Sequence, residues 1–196
     1  MSVVVRFPPD SSGGPTYGDP MSSPSVTTRN TTPTTRFSVV PSPIGDLLLT
    51  ASDEGLTGVH MLPHVDRADL TGAVADDGDA VLTETRRQLD EYFAGARTDF
   101  DLPLAPAGTE FQRQVWDGLC AIPYGETISY GELAQRIGRP NAQRAVGLAN
   151  GRNPIAVIVP CHRVIGADGS LTGYGGGLDR KQLLLGLERG IAPLPL

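Results

Sequence analysis

The segment VPCHRVIG, residues 159–166, sets Cys161 directly before His162. A thiol attacks as its thiolate, so it needs a base or a cation beside it. The base in turn needs a partner that fixes its orientation. His162 is the candidate base. Glu188 is the candidate orienting carboxylate: it lies four residues after Leu184, on the edge of a helical apolar stripe, where it can point inward. Asn153, just before Pro154, can tie the intervening turn through side-chain to backbone bonds. The apolar run Ile155 to Val159 reads as a buried strand, and strand neighbours point to opposite faces. Pro160 can bend the chain out of that strand, so that Cys161 and His162 serve one site. Three readings fit these residues. One is a cysteine hydrolase or acyltransferase, one a DNA-binding winged helix with an incidental thiol, and one a DNA-directed enzyme acting on a flipped base.

The elements that must position them are clearly marked in the C-terminal half. TEFQ, 109–112, is a T-x-x-Q capping box, and Phe111, Val115 and Leu119 then share one helix face. Trp116 and Cys120 flank that face, which makes Cys120 a buried structural thiol. SYGELAQRIG repeats the pattern: Ser129 caps, Glu132 completes the box and Gly138 ends the helix. Asn141 can cap a third helix that stops at Gly151. Two short helices across a tight turn with a glycine suggest a helix-turn-helix, or else a generic helical hairpin. The second helix is rich in small residues: Ala142, Ala145, Gly147 and Ala149, with Arg144 as its long cation. That composition suits close approach to a narrow groove and phosphates better than base reading in the major groove. Equally, the small residues can pack against another helix. Val164–Ile165, the turn ADGS and a return at Leu171–Thr172 read as a wing hairpin. The glycine-rich loop GYGGG, 173–177, surrounds Tyr174, and a last helix is expected to start at Asp179, boxed with Gln182.

The N-terminal half is simpler. Residues 36–62 alternate short β-rich runs with turn signals and predict two or three antiparallel strands. An acidic loop is expected over 63–78. A helix follows over 79–95, with Leu82, Leu89 and Phe93 in register and Gly95 at its end. Residues 96–107, with Pro103 and Pro106, read as a linker. Residues 1–35 are rich in Ser, Thr, Pro and Gly, and they predict a disordered extension or a start of translation at Met21 or nearby.

Bulk properties narrow the class. A chain of 196 residues can build a real core in one or two domains. No run of about 18 apolar residues and no secretory pattern are present, so no membrane association and a cytoplasmic location are expected. Two cysteines cannot form a disulfide framework, and a reducing compartment fits them. The net charge of −6 hides an asymmetry. Residues 1–106 carry seven Lys/Arg against fifteen Asp/Glu, a net of −8; residues 107–196 carry nine against seven, a net of +2. The C-terminal half is thus the part suited to a polyanion.

The stretch from FQRQVWDGLC to GLDRKQLLLGLE, 111–188, closely resembles the O6-alkylguanine-DNA alkyltransferases, also called methylated-DNA–protein-cysteine methyltransferases. PCHRV is their signature; IPYGETISY, RAVGLANGRNP and GYGGG match as well, and SPIG and EYFAG fit in the N-terminal half. The resemblance spans roughly 37–190. It implies an α+β protein: a small N-terminal α/β domain, ribonuclease H-like, over 36–105, and a helical winged helix-turn-helix domain over 106–196. It implies that Cys161 accepts the alkyl group from O6-alkylguanine in duplex DNA, with O4-alkylthymine as a further substrate. His162 would deprotonate the thiol through a water, polarised by Glu188, and Asn153 would hold the active-site turn. Tyr130 would donate a hydrogen bond to the guanine ring. Arg144 would fill the gap left by the flipped nucleotide, on a helix (Ala142, Ala145, Gly147) lying in the minor groove. The backbone at Cys161 and Val164 would accept from the guanine amine and the Gly175 amide would face its oxygen, with Tyr174 and Lys181 at the pocket. The resemblance implies no cofactor, a monomer and a single turnover, since a thioether is a poor leaving group. Some relatives bind zinc in the N-terminal domain; that region here has no cysteine, so no metal is expected. Another branch carries a cysteine-rich sensor, and nothing like it stands in 1–35. The alternative is a non-catalytic sensor that binds alkylated DNA, which the presence of Cys161, His162 and Glu188 disfavours.

Overall fold

Alternation of inward and outward residues builds the first layer. Arg36–Val40 (β1), Leu47–Ser52 (β2) and Gly55–Met61 (β3) form an antiparallel meander, with Val39 opposite Leu48 and Leu48 opposite His60. The computed structural model describes residues 34–63 and 70–191. The expected extension therefore lies almost wholly outside the described residues, as does the middle of the acidic loop. Within that loop a two-residue strand, Val74–Ala75 (β4), adds parallel to β1, giving the order β3-β2-β1-β4. Helix Ala80–Phe93 (α1) starts at Asp79, whose side chain accepts from Leu82 N at 3.0 Å. It buries Leu82, Leu89, Tyr92 and Phe93.

The free edge of β3 decides how the two halves meet. The segment expected as a linker buries Phe100, Leu102 and Leu104. It pairs with that edge: Leu56 N donates to Pro103 O and Ala105 N to Leu56 O, both at 2.8 Å. Its alternating apolar residues are the cause, since they give it one buried face. Further along the same edge, Val59 N donates to Pro154 O at 2.9 Å and Ala156 N to Val59 O at 3.1 Å. One strand of the N-terminal sheet thus holds the segment that leads to Cys161, and it leaves less open edge for stray pairing.

The capping boxes form where the sequence marks them. Helix Glu110–Cys120 (α2) has Thr109 N donating to Gln112 Oε1 at 2.8 Å and Gln112 N to Thr109 Oγ1 at 3.3 Å. After a two-residue strand, Ile128–Ser129 (β5), helix Tyr130–Arg136 (α3) has the same box through Ser129 and Glu132. Helix Gln143–Gly151 (α4) is locked to α2 by Trp116 Nε1, which donates to Ala149 O at 3.0 Å. Leu178–Glu188 (α5) closes the chain's described part. Apolar residues of both halves form one continuous core, from Leu47 and Leu89 to Trp116 and Leu184.

Four local expectations are corrected. Asn141 does not cap α4: the boundary residue is Ala142, with no side-chain cap, and Gln143 Nε2 instead donates to Pro140 O at 2.8 Å. Asp179 does not cap α5, because the helix begins one residue earlier, after Gly177 at φ +93°; the Asp179 charge stands in the first turn. Residues 155–159 are not a strand beyond the single bridge at Ile155; they are a buried run of turns. The return strand at Leu171–Thr172 does not form either. Val164–Ile165 (β6) pairs parallel with β5 instead, and its tip closes through Gly166 N to Ser170 O at 2.9 Å.

Candidate active site

Asn153 organises the run of turns. Its Oδ1 accepts from Ile155 N at 3.0 Å, and its Nδ2 donates to Val159 O at 2.8 Å. Val157 is held at φ +71°, unusual for a β-branched residue and costing about 1–3 kcal/mol. Ile158 N donates to Ala156 O across it at 2.9 Å, which closes a γ-turn. Pro160, at φ −82° and ψ 62°, makes a second such turn of the opposite hand, with Cys161 N donating to Val159 O at 2.8 Å. The proline does bend the chain, out of a coil of turns instead of a strand. A single 3₁₀ turn, Cys161–Arg163, then puts Cys161 at a cavity and brings His162 and Arg163 to one carboxylate, Glu188.

Cys161 lies at a cavity of about 160 Å³. Val59 and Met61 of β3 form one wall, Asn150 and Asn153 another, and Tyr174 and Gly175 a third. At Gly176 a Cβ would overlap the Met61 sulfur, so a larger residue there would force the Met61 side chain to move. Burial pushes the Cys161 thiol up; a hydrogen bond with Asn153 and the Lys181 ammonium pull it partly back. The resting group is therefore a thiol, and a base must act when it reacts.

His162 is fully buried, with Nε2 2.8 Å from Glu188 Oε1. Burial lowers the imidazole, against the opposing pull of Glu188, so the ring is neutral. A neutral ring facing a carboxylate carries its proton on Nε2, by assignment from the hydrogen-bond network. Nδ1 then keeps the lone pair, and that buried atom has no hydrogen-bond partner in the protein. Asn150 Oδ1 and Tyr174 Oη are likewise buried without partners, and both residues line the cavity. Such atoms are rare in folded proteins and mark a place prepared for polar groups from outside.

Glu188 accepts from four residues. Arg163 grips both oxygens, with Nε 2.9 Å from Oε2 and Nη2 2.9 Å from Oε1. Tyr92 Oη donates to Oε1 at 2.7 Å, Gly125 N donates to Oε2 at 3.1 Å, and His162 completes the set. Burial alone would raise the Glu188 carboxyl, but His162 and the Arg163 guanidinium outweigh it and hold it well below the usual carboxylate range.

The remaining expected residues fall into two places. Lys181, buried, donates from Nζ to Val164 O at 2.6 Å and to Thr172 O at 2.9 Å. It staples the two arms that no strand ladder joins. Burial lowers its ammonium, and Cys161 opposes that shift. Tyr130 Oη donates to Thr172 O at 3.4 Å, and burial raises that hydroxyl. Arg144 and Ala145 lie apart from the cavity on the exposed face of α4, beside Leu148, which is 66% exposed. Ala142 packs on the core and Gly147 faces the Tyr130 ring, so these two are inner residues of α4. Arg163, Tyr92 and Asn150 are the groups that sequence reasoning missed. Each stands in a matching motif (Arg163 in PCHRV, Asn150 in RAVGLANGRNP, Tyr92 in EYFAG), but only Arg163, next to the Cys-His pair, is tied to the site by its position in the sequence. Among the described residues no three His, Cys, Asp or Glu side chains gather as a metal cradle, and no helix is long and apolar enough to cross a membrane.

A buried thiol followed by a neutral imidazole on a fixed carboxylate is the set of groups that proteins with a nucleophilic cysteine require. Comparison with known proteins narrows that class. Residues 35–106 match the model of the 6-O-methylguanine DNA methyltransferase ribonuclease-like domain, and residues 110–190 that of the DNA-binding domain of the same family. A methylated-DNA–protein-cysteine methyltransferase of Mycolicibacterium paratuberculosis is 54% identical over 82% of this chain and 96% of its own. One from Methanosarcina acetivorans is 53% identical over 78% and 97%. The crystal structure of Mycobacterium tuberculosis OGT in complex with DNA is 52% identical, covers 81% of this chain and 95% of its own, and superposes with a TM-score of 0.75. This chain belongs to the 6-O-methylguanine DNA methyltransferase family, with its ribonuclease-like and DNA-binding domains in an α+β architecture.

Proposed function

We propose that this protein repairs DNA by direct reversal, moving the alkyl group of O6-alkylguanine in duplex DNA onto Cys161 in one irreversible turnover. The observation that carries the reading is the Cys161 cavity with the His162–Glu188 contact of 2.8 Å behind it. The thiol proton passes to His162 Nδ1 through a water, and Glu188 stabilises the imidazolium through Nε2–H. Sulfur attacks the alkyl carbon, the S–C bond forms and the O6–C bond breaks with its electron pair left on the base. Tyr130 donates to the guanine ring as that charge develops; the proton taken up by His162 then returns through water to the base, which leaves ordinary guanine in the DNA and a neutral imidazole. The thioether has no route back to a thiol, so each molecule acts once. No metal or cofactor enters any of these steps.

The substrate must leave the duplex to reach this cavity, at a cost of a few kcal/mol. The exposed face of α4 suits a minor groove, where Arg144 fills the place of the extruded nucleotide and Ala145 permits close approach. In this reading Tyr174, Gly175 and the carbonyls of Cys161 and Val164 receive the base edge; Tyr174, Gly175 and Cys161 line the cavity, and Val164 O accepts from Lys181 Nζ at 2.6 Å. A monomer acting on duplex DNA in the cytoplasm, with O4-alkylthymine as a lesser substrate, completes the proposal. Incubation with O6-methylguanine duplex followed by peptide mass mapping tests it. One methyl on the peptide containing Cys161 is expected; methyl on any other residue, or on none, refutes it. Arg144→Ala should slow repair of duplex by about 10²-fold while leaving reaction with free O6-benzylguanine within about twofold, because only the duplex must be held open. Equal losses on both would remove the arginine from that role.

A further inference from the structure

The Glu188 carboxylate is held by both halves of the molecule. From the 3₁₀ turn come His162 and Arg163; from the turn before β5 come the Gly125 N–H and the nearby Tyr124; from α1 comes Tyr92, ninety-six positions away in sequence. Lys181 is the other cation near His162, and Arg163 lies 5.7 Å from the Tyr124 ring centre. Tyr92 is fully buried, and its ring is fixed by edge contacts with Phe93 and Tyr124 at 5.4 and 6.0 Å. Its hydroxyl reaches the same oxygen, Oε1, that faces His162 Nε2. Packing alone would be met by phenylalanine at this position. The hydroxyl is placed to do something more.

We infer that Tyr92 is a positioning residue of the relay, supplied by the N-terminal half: its hydroxyl orients Glu188 and limits how strongly that carboxylate pulls on the His162 Nε2–H. The inference rests on the alkyl-transfer reading for its functional consequence, but the contact itself does not depend on it. A hydrogen bond donated to a carboxylate stabilises the anion and weakens its hold on any second donor. With the hydroxyl gone, Oε1 has fewer donors, so the His162 bond tightens and the imidazolium is favoured. His162 then stays protonated to higher pH and is a poorer base in the acid range. Burial also raises the Tyr92 phenol, with Glu188 adding to the shift, so it stays a donor throughout the working range.

The test uses the full chain and Tyr92→Phe, with Leu89→Ala as a control on the same helix whose apolar side chain offers Glu188 no hydrogen bond. The proton resonance of His162 Nε2–H is read by NMR, and single-turnover alkyl transfer from O6-methylguanine duplex is followed against pH. Tyr92→Phe should move the resonance downfield and carry the acid limb of the rate up by about half a pH unit. Leu89→Ala should lower the melting temperature and move neither. An unmoved resonance in Tyr92→Phe overturns the inference, as does an equal movement in Leu89→Ala. A moved resonance in a protein whose wild type accepts no alkyl group would overturn the repair reading and leave the Tyr92 contact standing.

Discussion

Cys120 and Cys161 lie in the same half of the chain and meet opposite fates. Cys120 ends α2, half-buried, three residues after Asp117. Burial pushes its thiol up to about 12, and the Asp117 charge adds to the shift. Burial also raises Cys161, so a low resting acidity is not what sets the two apart. Their surroundings are. Cys161 has the Asn153 side chain and the Lys181 ammonium favouring its anion, and an imidazole with a free lone pair on the next residue. Cys120 faces a carboxylate, Asp117, only partly offset by the Arg163 guanidinium, and has no imidazole beside it in the sequence. The contrast teaches that reactivity here is a matter of groups that act at the moment of transfer, not of a thiolate kept waiting.

The hardest blow to that contrast is removal of Cys161, the thiol proposed to accept the alkyl group. Cys161→Ala should reduce alkyl transfer to background while affinity for alkylated duplex persists, because α4 and the cavity walls are untouched. Intact mass and fluorescence anisotropy read the two properties separately. A mass gain in this variant would mean that Cys120 or another group accepts the alkyl, and the distinction between the thiols would collapse.

Next in size is Glu188→Gln, which takes away the fixed carboxylate behind the imidazole that sets Cys161 apart from Cys120. The buried Arg163 guanidinium loses its counter-charge, at a cost of about 3–5 kcal/mol. That corresponds to a fall of about 10 °C in melting temperature for a chain of this size. Transfer should slow by about 10²-fold, and burial of His162, now unopposed, should move the acid limb to lower pH. This is the direction opposite to Tyr92→Phe.

The wild-type protein also carries a signature in its stability against pH. His162 is depressed from 6.5 in the fold, so the unfolded chain takes a proton that the folded one resists. Stability is thus complete above that value and is lost as pH falls below it. Glu188, depressed from 4.5, adds a second loss that begins near that pH and ends below its folded value. The melting temperature should therefore hold level down to about pH 6.5, fall from there to pH 5 and fall more steeply below. A flat profile would contradict the neutral, buried His162.

Much of this contrast could be read in the chain before folding. Thr109 with Gln112 and Ser129 with Glu132 are local devices, decided by residues three apart, and they form as read. The helical stripe that turns Glu188 inward is equally local. The run 155–159 was misread because apolar content cannot tell a strand from a buried turn. Val157 adopts its positive φ only because Asn153 and the β3 edge hold both sides of it. The caps at Asn141 and Asp179 failed because Pro140 and Gly177 offered the chain other starts. Tyr92 stands within EYFAG, but nothing in the sequence ties it to Glu188: its partner is ninety-six positions away, and only the joint core brings the two together.

The smallest effect tests the contrast from the other side. Cys120 and Arg163 line the same small cavity, of about 20 Å³, so the inert thiol lies close to the cation that holds Glu188. If the two thiols differ only by their immediate partners, Cys120→Ser should disturb packing and nothing else. A half-buried hydroxyl in place of the thiol costs about 1 kcal/mol, or a few degrees in melting temperature. The transfer rate and the count of one alkyl group per chain should stay as in the wild type. A rate loss of more than about threefold, about 0.7 kcal/mol in the barrier, would mean that the cavity transmits changes at Cys120 through Arg163 to the relay. Cys120 would then belong to the machinery it is here set against.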